Sequence, residues 1–342
     1  MDIGLTNITG LPVSLELALN NNKYDKGDGA DASATEILMP PRIRQLRARH
    51  HVTEDVSERI YSLLGTLTHK ILEGSTRELV KDDKTTQLEA IEATLDRWMA
   101  GEIEGDLPTM LDAASWEAVR KAAWENHNVM IEERKFARIL GWILSGKPDR
   151  YDGNLKLLED YKLCSVWNWI YGAKVEWEQQ LNIYRYIFHL NGLEVEQANI
   201  HAIFRDWSKT KAAVDPKYPQ KQWIVMPMNI WSIEKCKEFV EERIRIHQEA
   251  ALVEEKDLPL CTDEERWSSG EKWALMKKGR KSAVKLFDSS SQAMDWKGRY
   301  QKPGEILTLE HRPSVNTRCV HYCVVSHLCP FGISLKKEDT TE

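Results

Sequence analysis

The strongest constraint on the fold is a series of short, partly alternating apolar runs between residues 129 and 164. Gly141 and the turn sequence Asp152-Gly153-Asn154 separate these runs. Asp-Gly between two runs of this kind is a strong signal for a β-hairpin. The pattern therefore predicts three antiparallel strands, in the segments VMIEERKFARI, GWILSGKPDRYD and NLKLLEDYKL.

Helical patterns flank this predicted meander on both sides. Before it, IRQLRARH predicts a short basic helix, and apolar residues recur at helical spacing from 55 to 73. Further helices are predicted over 86–100 and 111–127. After the meander, a helix is predicted over 174–191, because Asn191-Gly192 is a typical helix stop.

The remaining segments complete a mixed pattern. QANIHAIFRDW and QWIVMPMNIW predict two more strands, and a long helix is predicted from about Ser232 to Glu254. This order predicts an α+β fold with a central mixed β-sheet flanked by helices. We expect an N-terminal extension (1–54), a core domain (55–255), and a helical, cysteine-containing C-terminal lobe that packs on the core (256–342).

Composition narrows the class of protein. The 342-residue chain has 47 Lys and Arg against 53 Asp and Glu, a net charge of −6, which excludes a globally basic nucleic-acid binder. No apolar run approaches the roughly 18 to 20 residues that span a bilayer, and MDIGLTNITG lacks the features of a signal peptide. We therefore expect a cytoplasmic protein without a membrane partner, whose cysteines are reduced or bound to metal.

Four motifs in a fixed order carry the chemistry: GTLTHKILE on a helix, GKPD at a strand end, LEDYK on the next strand, and QQLNIY on the following helix. In a strand, Asp160 and Lys162 share one face, and Asp149 lies across the hairpin from Asp160. Carboxylates from adjacent strands suit Mg²⁺ or Mn²⁺, which promote phosphodiester hydrolysis. Lys162 can orient or deprotonate the attacking water, or stabilise charge on the phosphate.

These motifs resemble those of the PD-(D/E)XK nuclease superfamily, in its RecB-like exonuclease branch, over roughly residues 60–190. The resemblance implies a restriction-endonuclease-like core and a divalent-metal-dependent DNA nuclease. An exonuclease in phage DNA recombination or degradation fits best, and the protein would then lie in the host-cell cytoplasm. The resemblance implies that the metal ligands are His69, Asp149, Asp160 and the carbonyl of Tyr161.

The same resemblance implies roles for the side chains around the metal. Lys162 becomes the catalytic lysine, and Gln180 and Tyr184 line the site near the substrate. Glu73 and Glu133 are weaker candidates for residues that support the metal ligands without binding the metal themselves. The implied partner is DNA with single- or double-stranded ends, and a homo-oligomer or a recombination partner protein fits the same setting.

A second metal site is predicted near the C-terminus, where Cys319, Cys323 and Cys329 occur within eleven residues. In a reduced protein such a cluster usually binds a metal, and soft thiolates select zinc or an iron–sulfur cluster. We expect Cys261 to be the fourth ligand, with His321 or His327 as alternatives in a zinc site. Cys164 and Cys236 are expected to be buried thiols.

The family resemblance favours iron–sulfur over zinc at these cysteines. CRISPR-associated adaptation exonucleases and AddB-type nucleases of the same branch hold a [4Fe–4S] cluster through three C-terminal cysteines and one far upstream. This chain departs from that pattern, because it has C-x3-C in place of C-x2-C and no cysteine before the nuclease motifs.

Basic residues that come after the last of the four motifs are candidates for binding the substrate. Arg205, Lys209 and Lys211 could bind phosphates, and Trp207 could stack on a base. KKGRKSAVK, near 277–285, is a second phosphate-binding candidate. Two other functions remain open: a non-catalytic DNA- or protein-binding module on the same fold, and a restriction-type endonuclease.

Tryptophan is unusually common in this chain, with 13 residues against 10 Tyr and 6 Phe. Trp167, Trp169 and Trp177 cluster just after the predicted catalytic strand. We expect most of the tryptophans to pack in the core, because each ring buries a large apolar area.

Overall fold

A computed structural model of the chain describes residues 4–21, 26–75, 77 and 129–339. The predicted helices over 86–100 and 111–127 lie outside these residues. The chain divides into two compact units. We call Leu5–Leu38 with Asp55–Gln248 the sheet unit, and Met1–Gly4, Met39–Glu54 and Glu249–Glu342 the cysteine unit. The segment 39–54, which sequence analysis assigned to an N-terminal extension, thus belongs to the same unit as the C-terminal region.

The described residues form short strands and helices that alternate along the chain. In chain order they are β1 (Gly4–Thr6), α1 (Val13–Asn21), β2 (Ala32–Ser33), α2 (Ala34–Leu38), α3 (Pro41–Arg49), β3 (Thr53–Asp55), α4 (60–75), β4 (Val129–Ile131), β5 (Lys135–Ile139), β6 (Trp142–Gly146), β7 (Arg150–Asp152), β8 (Leu157–Cys164), α5 (Trp167–Ile170), α6 (Val175–Leu190), β9 (Gln197–Phe204), α7 (Lys209–Val214), β10 (Trp223–Pro227), α8 (Ile233–Leu252), α9 (Asp263–Arg266), β11 (Lys272–Lys277), β12 (Lys285–Phe287), α10 (Ser290–Tyr300), β13 (Leu307–Arg312) and α11 (Pro330–Asp339). None of the described helices is long and apolar enough to cross a bilayer.

The sheet unit is built on a five-stranded sheet with the order β10-β9-β8-β7-β4. Its central pair, β8 and β9, runs parallel, and the other pairs are antiparallel. A three-stranded sheet, β2-β6-β5, lies in the same unit. Both sheets are mixed and helices pack on them, so the α+β class with mixed sheets flanked by helices is confirmed.

The meander differs from three simple strands because its first two runs each break in the middle. Glu132 adopts a positive φ of 52°, so residues 129–139 form β4 and β5 in two different sheets. The partner run breaks at residues 147–149, between β6 and β7. Because the Glu132 N–H donates to the Asp149 carbonyl at 3.0 Å, the two breaks face each other. The bend places Asp149 just outside the regular ladder.

Helix α6 covers the sheets and supplies much of the core. Its apolar side chains at helical spacing are completely buried, and they join buried side chains of the strands in the main apolar cluster of the sheet unit: Leu144, Leu158, Leu181, Ile183, Ile187 and Ile200. Gly146 allows the close approach of β6 to this helix, since a Cβ there would lie 2.8 Å from the Tyr184 ring and 2.9 Å from Ile187.

The cysteine unit has its own sheet and its own core. The antiparallel sheet β12-β11-β13 packs against α10, which corrects our expectation of a helical C-terminal lobe. Its strands KWALMK and LTLEHR mix charged and apolar residues, and only part of each strand is buried. A separate apolar cluster joins α3 to the C-terminal cysteine segment through Ile43, Leu46, Leu258, Val325 and Cys329.

Candidate functional site

A cavity of about 650 Å³ in the sheet unit collects side chains from all four sequence motifs. These are the side chains that sequence analysis assigned to metal binding and catalysis: His69, Asp149, Asp160, Lys162, Gln180 and Tyr184. They come from α4, from the connection between β6 and β7, from β8, and from α6. All six side chains therefore line one cavity. Asp160 is not in the described group of ligand atoms within 4.8 Å of one another that includes His69 and Asp149.

Helix α4 lines the cavity with one face. The residues that face it recur at helical spacing: Ser62, Gly65, Thr66, His69, Lys70 and Glu73. A Cβ added at Gly65 would meet nothing within 4 Å, so the backbone there borders open space. Small and hydroxyl-bearing side chains on this face leave room for a ligand beside the imidazole of His69.

The Asp149 carboxylate is fixed from both sides. Its Oδ1 lies 2.9 Å from Nδ1 of His69, and its Oδ2 accepts the backbone N–H of Tyr161 at 2.5 Å. The second contact joins the β6–β7 connection to β8 and places the Tyr161 peptide at the site. The role of the Tyr161 carbonyl as a metal ligand stays a prediction.

Strand alternation turns Asp160 and Lys162 towards the cavity. The Lys162 Nζ lies 2.5 Å from Asp160 Oδ2 and donates to Gln180 Oε1 at 3.2 Å. Gln180 in turn donates through Nε2 to the Tyr184 hydroxyl at 2.7 Å. Gln180, which is itself bonded to Tyr184, therefore gives the ammonium group a second polar contact.

Two buried carboxylates share this cavity, and their charges are only partly compensated. Burial and the charge of Asp160 raise the pKa of Asp149 to about 6. Burial lowers the pKa of Lys162, but the charges of Asp160 and Asp149 outweigh it and raise the pKa above its usual value. Burial likewise opposes the charged form of His69, yet its bond to Asp149 raises its pKa. Each carboxylate makes ionisation of the other less favourable, and a bound cation would offset that cost.

Sequence analysis missed one acidic residue at the site. Glu132, His69 and Asp149 offer ligand atoms that all lie within 4.8 Å of one another. Glu132 is half-buried and forms an ion pair with Lys147. Carboxylate oxygens and an imidazole are suitable donors for Mg²⁺ or Mn²⁺, so these residues fit the expected ion.

The two acidic residues that sequence analysis rated as weaker candidates have different positions. Glu133 pairs with Lys135 at 2.5 Å and does not line the cavity, among the residues described for it. Glu73 does line the cavity, and it pairs with Arg77 at 2.9 Å. The difference between Glu132 and Glu133 arises from the positive φ of Glu132, which no sequence pattern announces.

A charged network on the neighbouring strands supports the orientation of β8. Arg150 pairs with Asp152 at 2.7 Å and with Glu159, and His201 Nε2 lies 2.7 Å from Glu159 Oε1. Burial alone would raise the pKa of Glu159, but its bonds to His201 and Arg150 lower it below the usual value. The network ties β7, β8 and β9 together and fixes the alternation that places Asp160 in the cavity.

The predicted DNA-binding residues lie beyond the end of β9. Arg205, Lys209 and Lys211 are exposed, and the Arg205 guanidinium stacks over the Tyr61 ring at 4.8 Å. Trp207 is half-buried against the core and donates its Nε1–H to the Pro219 carbonyl at 2.7 Å. The structure therefore gives Trp207 a packing contact, while the three cations remain accessible to phosphates.

The second predicted metal site also comes together, within the cysteine unit. Cys261, Cys319, Cys323 and Cys329 line one cavity. Neither His321 nor His327 is among the described residues that line it. Cys164 and Cys236 are buried in the apolar core of the sheet unit, as expected for structural thiols.

Arginine side chains surround the four thiols. Buried Arg42 donates to the carbonyls of Pro259 and Leu258 at 3.1 and 2.6 Å, and its Nη1 lies 3.7 Å from Cys329 Sγ. Arg266 and Arg318 line the same cavity. Burial, with the charge of Glu265 and of the neighbouring thiols, raises the pKa of Cys261 to about 12. A positively charged metal or cluster would allow these thiols to ionise, and the arginines would balance their negative charge.

No family model matches the chain, and no curated protein matches it. Among solved structures, the crystal structure of SSO0001 aligns with 68% of this chain and 84% of its own at 15% sequence identity. The TM-score is 0.34, and a similarity of that size does not establish a shared fold.

Proposed function

We propose that this protein is a divalent-metal-dependent DNA nuclease of the RecB-like branch of the PD-(D/E)XK superfamily, with a restriction-endonuclease-like core. One observation carries the proposal. His69, Asp149, Asp160 and Lys162 come from three separate elements and line one cavity, with Gln180 and Tyr184 beside the lysine. A chance arrangement of solvated side chains would not place four motifs that are distant in sequence around one cavity.

The metal in this proposal is Mg²⁺ or Mn²⁺. Its ligands would come from His69, Asp149 and Asp160, with Glu132 as an additional carboxylate. Bound there, the ion would act as a Lewis acid and lower the pKa of a bound water. The carboxylate of Asp149 is already oriented by His69 and by the Tyr161 N–H, so little rearrangement of these groups is required.

Lys162 has a defined task in the proposed reaction. Its ammonium group lies beside the carboxylates of Asp160 and Asp149, whose charges raise its pKa. In that position it would orient the attacking water or help to deprotonate it, or stabilise negative charge on the phosphate. Gln180, which accepts from Lys162 and donates to Tyr184, limits the positions that the ammonium group can adopt.

Metal-dependent cleavage of end-labelled DNA tests the proposal. We expect products from linear single- or double-stranded DNA with Mn²⁺ or Mg²⁺, and none with EDTA. Lys162→Ala should reduce the cleavage rate at least ~100-fold, as expected for loss of a charge-stabilising group. Lys156→Ala is the matched control, because Lys156 is also on the β7–β8 hairpin but pairs with surface glutamates. Equal rates in EDTA, or in Lys162→Ala, would reject the proposal.

The same assay separates the modes of cleavage. An exonuclease, which we favour from the family resemblance, should release short products from ends and leave circular DNA intact. A restriction-type endonuclease would cut circular DNA, and a non-catalytic binding module would shift DNA mobility without producing fragments. The proposal also includes a role in phage DNA recombination or degradation and a cytoplasmic location, which rest on the family resemblance.

We further propose that Cys261, Cys319, Cys323 and Cys329 hold a [4Fe–4S] cluster, with Zn²⁺ as the alternative. The four thiols line one cavity together with Arg42, Arg266 and Arg318, which supports a thiolate-bound metal or cluster. The family resemblance favours the iron–sulfur cluster. The bound group would stabilise the cysteine unit, since Cys261 and the C-terminal cysteines are distant in sequence. Iron, sulfide and zinc analysis of anaerobically purified protein distinguishes the two groups.

A further inference from the structure

Two solvent-exposed aromatic rings follow directly after β8, the strand that carries Asp160 and Lys162. Trp167 and Tyr171 are stacked, with ring centroids 5.4 Å apart and an interplanar angle of 14°. Their side chains are 54% and 82% exposed. Trp169 and Ile170 between them are also exposed. We call Trp167, Trp169 and Tyr171 the aromatic platform. Exposed aromatic clusters of this kind usually mark a binding surface.

The backbone beneath the platform is well fixed. Ser165 Oγ and the Val166 N–H both donate to the Asp206 carboxylate, at 2.6 and 2.8 Å. Val166 is buried in the main core, and the Arg205 N–H donates to the Cys164 carbonyl at 2.9 Å. The rings are therefore presented to solvent by a rigid support, which lowers the entropic cost of binding a ligand to them.

Cations outnumber acids on the segments next to the platform in the chain. The exposed cations are Arg205, Lys174, Lys209 and Lys211, and the exposed acids are Asp206 and Glu176. Burial raises the pKa of Cys164 to about 11, and the positive charges of Arg205 and Lys174 act against that rise. Both cations therefore lie close to the end of β8. A surface with flat aromatic faces beside cations matches a ligand with flat bases and an anionic backbone.

The platform follows the strand that carries Asp160 and Lys162 into the nuclease cavity. Arg205 stacks over Tyr61, which is 67% exposed at the start of α4. The next residue of that helix, Ser62, lines the cavity. Along β8, Cys164 at the strand end lies two residues beyond Lys162, or about 7 Å. The distance from the cavity to the platform thus corresponds to only a few nucleotides.

We propose that the aromatic platform binds single-stranded DNA by stacking unpaired bases on Trp167 and Tyr171, while Arg205 and Lys209 bind its phosphates and direct the strand towards the cavity. The inference rests on the proposed nuclease function and assigns its substrate as a single strand at this position. A duplex hides its base faces, so stacking of this kind selects unpaired DNA.

Equilibrium binding in EDTA tests the platform apart from catalysis. The probe is a short fluorescein-labelled oligothymidylate, compared with a blunt duplex of equal length. Tyr171→Ala should weaken oligothymidylate binding by about tenfold, which corresponds to about 1.4 kcal/mol. Tyr171→Phe should bind within about twofold of the wild type, since the ring is kept. Arg205→Ala should reduce, by about one, the slope of the logarithm of the binding constant against the logarithm of the salt concentration.

The control is Tyr300→Ala. Trp296 and Tyr300 form a similar ring pair at i, i+4 spacing, with centroids 5.1 Å apart, and the Tyr300 side chain is 60% exposed. This variant should bind oligothymidylate as the wild type does. Unchanged binding in Tyr171→Ala, or equal weakening for the duplex, would overturn the inference. A change in the sedimentation of Tyr171→Ala without weaker DNA binding would also overturn it, because the platform would then be an interface between copies.

The outcome for the platform is distinguishable from the outcome for catalysis. If the wild type cuts no DNA but Tyr171→Ala still weakens oligothymidylate binding, the nuclease proposal fails and the platform stands. If the wild type cuts DNA and Tyr171→Ala binds normally, the nuclease proposal stands and the platform fails.

Discussion

The cavity of the sheet unit and the cavity of the cysteine unit are built in opposite ways. In the sheet unit, hydrogen bonds to neighbouring strands and helices already orient Asp149 and Lys162. In the cysteine unit, four thiols, two of them with a pKa raised by burial, surround a space between an arginine-rich helix and the C-terminal segment. The fold orients the side chains of the first site, whereas a metal or cluster bound at the second site would stabilise the fold of its unit.

This contrast agrees with the two kinds of metal that we propose. A hydrolytic Mg²⁺ or Mn²⁺ keeps water and exchanges readily, so the protein must supply the geometry. A thiolate-bound cluster or zinc ion supplies its own geometry and its binding energy contributes to folding. Removing a ligand should therefore have different consequences in the two units.

The largest expected effect is on the cysteine unit. Cys329→Ala should remove the bound iron or zinc and lower the melting temperature of this unit by on the order of 10 °C or more, because several kcal/mol of binding energy are lost. Cys236→Ala is the control, since its buried thiol lies in the sheet unit. Metal analysis and calorimetry provide the measurements. A Cys329→Ala protein that keeps its metal content and its stability would remove the contrast between the two sites.

A second test concerns the close approach of β6 and α6. Gly146→Ala places a Cβ 2.8 Å from the Tyr184 ring, and overpacking of this kind costs about 1–3 kcal/mol. The sheet unit should therefore unfold at lower denaturant, while metal analysis of the cysteine unit stays unchanged. If the Gly146→Ala protein were as stable in urea as the wild type, helix α6 would be able to shift away from β6 without cost.

The adjacent acids Glu132 and Glu133 provide a matched pair. Glu132→Ala should weaken Mn²⁺ binding by about tenfold, within the range observed when a group that supports a metal site is removed. Glu133→Ala should change it by less than about twofold, because that carboxylate pairs with Lys135. Isothermal titration calorimetry with Mn²⁺ measures both. Equal effects of the two substitutions would contradict the position that we assign to Glu132.

The smallest expected effect is the dependence of Mn²⁺ binding on pH. The pKa of His69 is raised, and the pKa of Asp149 is raised to about 6, so the two groups hold protons in the range where a metal must displace them. Affinity should fall as the pH drops from about 7.5 towards 6, by about twofold for a group with a pKa of about 6, because such a group is half protonated at pH 6. The metal content of the cysteine unit should not follow the same curve. A flat affinity over this range would mean that neither group loses a proton on binding.

Much of the sheet unit could be predicted from sequence because its signals are local. The Asp152-Gly153 turn determines the register in which Arg150 pairs with Glu159, and that register places Asp149 near Asp160. The helix predicted over 174–191 is α6, which spans Val175–Leu190. Period-two alternation was enough to assign Asp160 and Lys162 to one face.

Other features depended on tertiary geometry and could not be predicted. The break at Glu132 needs a positive φ that only the facing strand imposes. The sheet of the cysteine unit was missed because strands such as LTLEHR mix polar and apolar residues without clear alternation. Trp207, a candidate for stacking on a base, has a packing contact, whereas Trp167 is exposed, since composition alone does not reveal which tryptophan faces the core.

The parallel pairing of β8 with β9 limits how far the segment between these two strands could be shortened. Two parallel neighbours cannot be joined by a tight turn, so the chain must cross the sheet between them. That obligatory crossover, residues 165–196, contains the exposed Trp167 and Trp169 and also helix α6, whose Gln180 bonds to Lys162. Shortening the crossover would therefore prevent the parallel pairing of β8 with β9 and remove the support of Lys162 in one step.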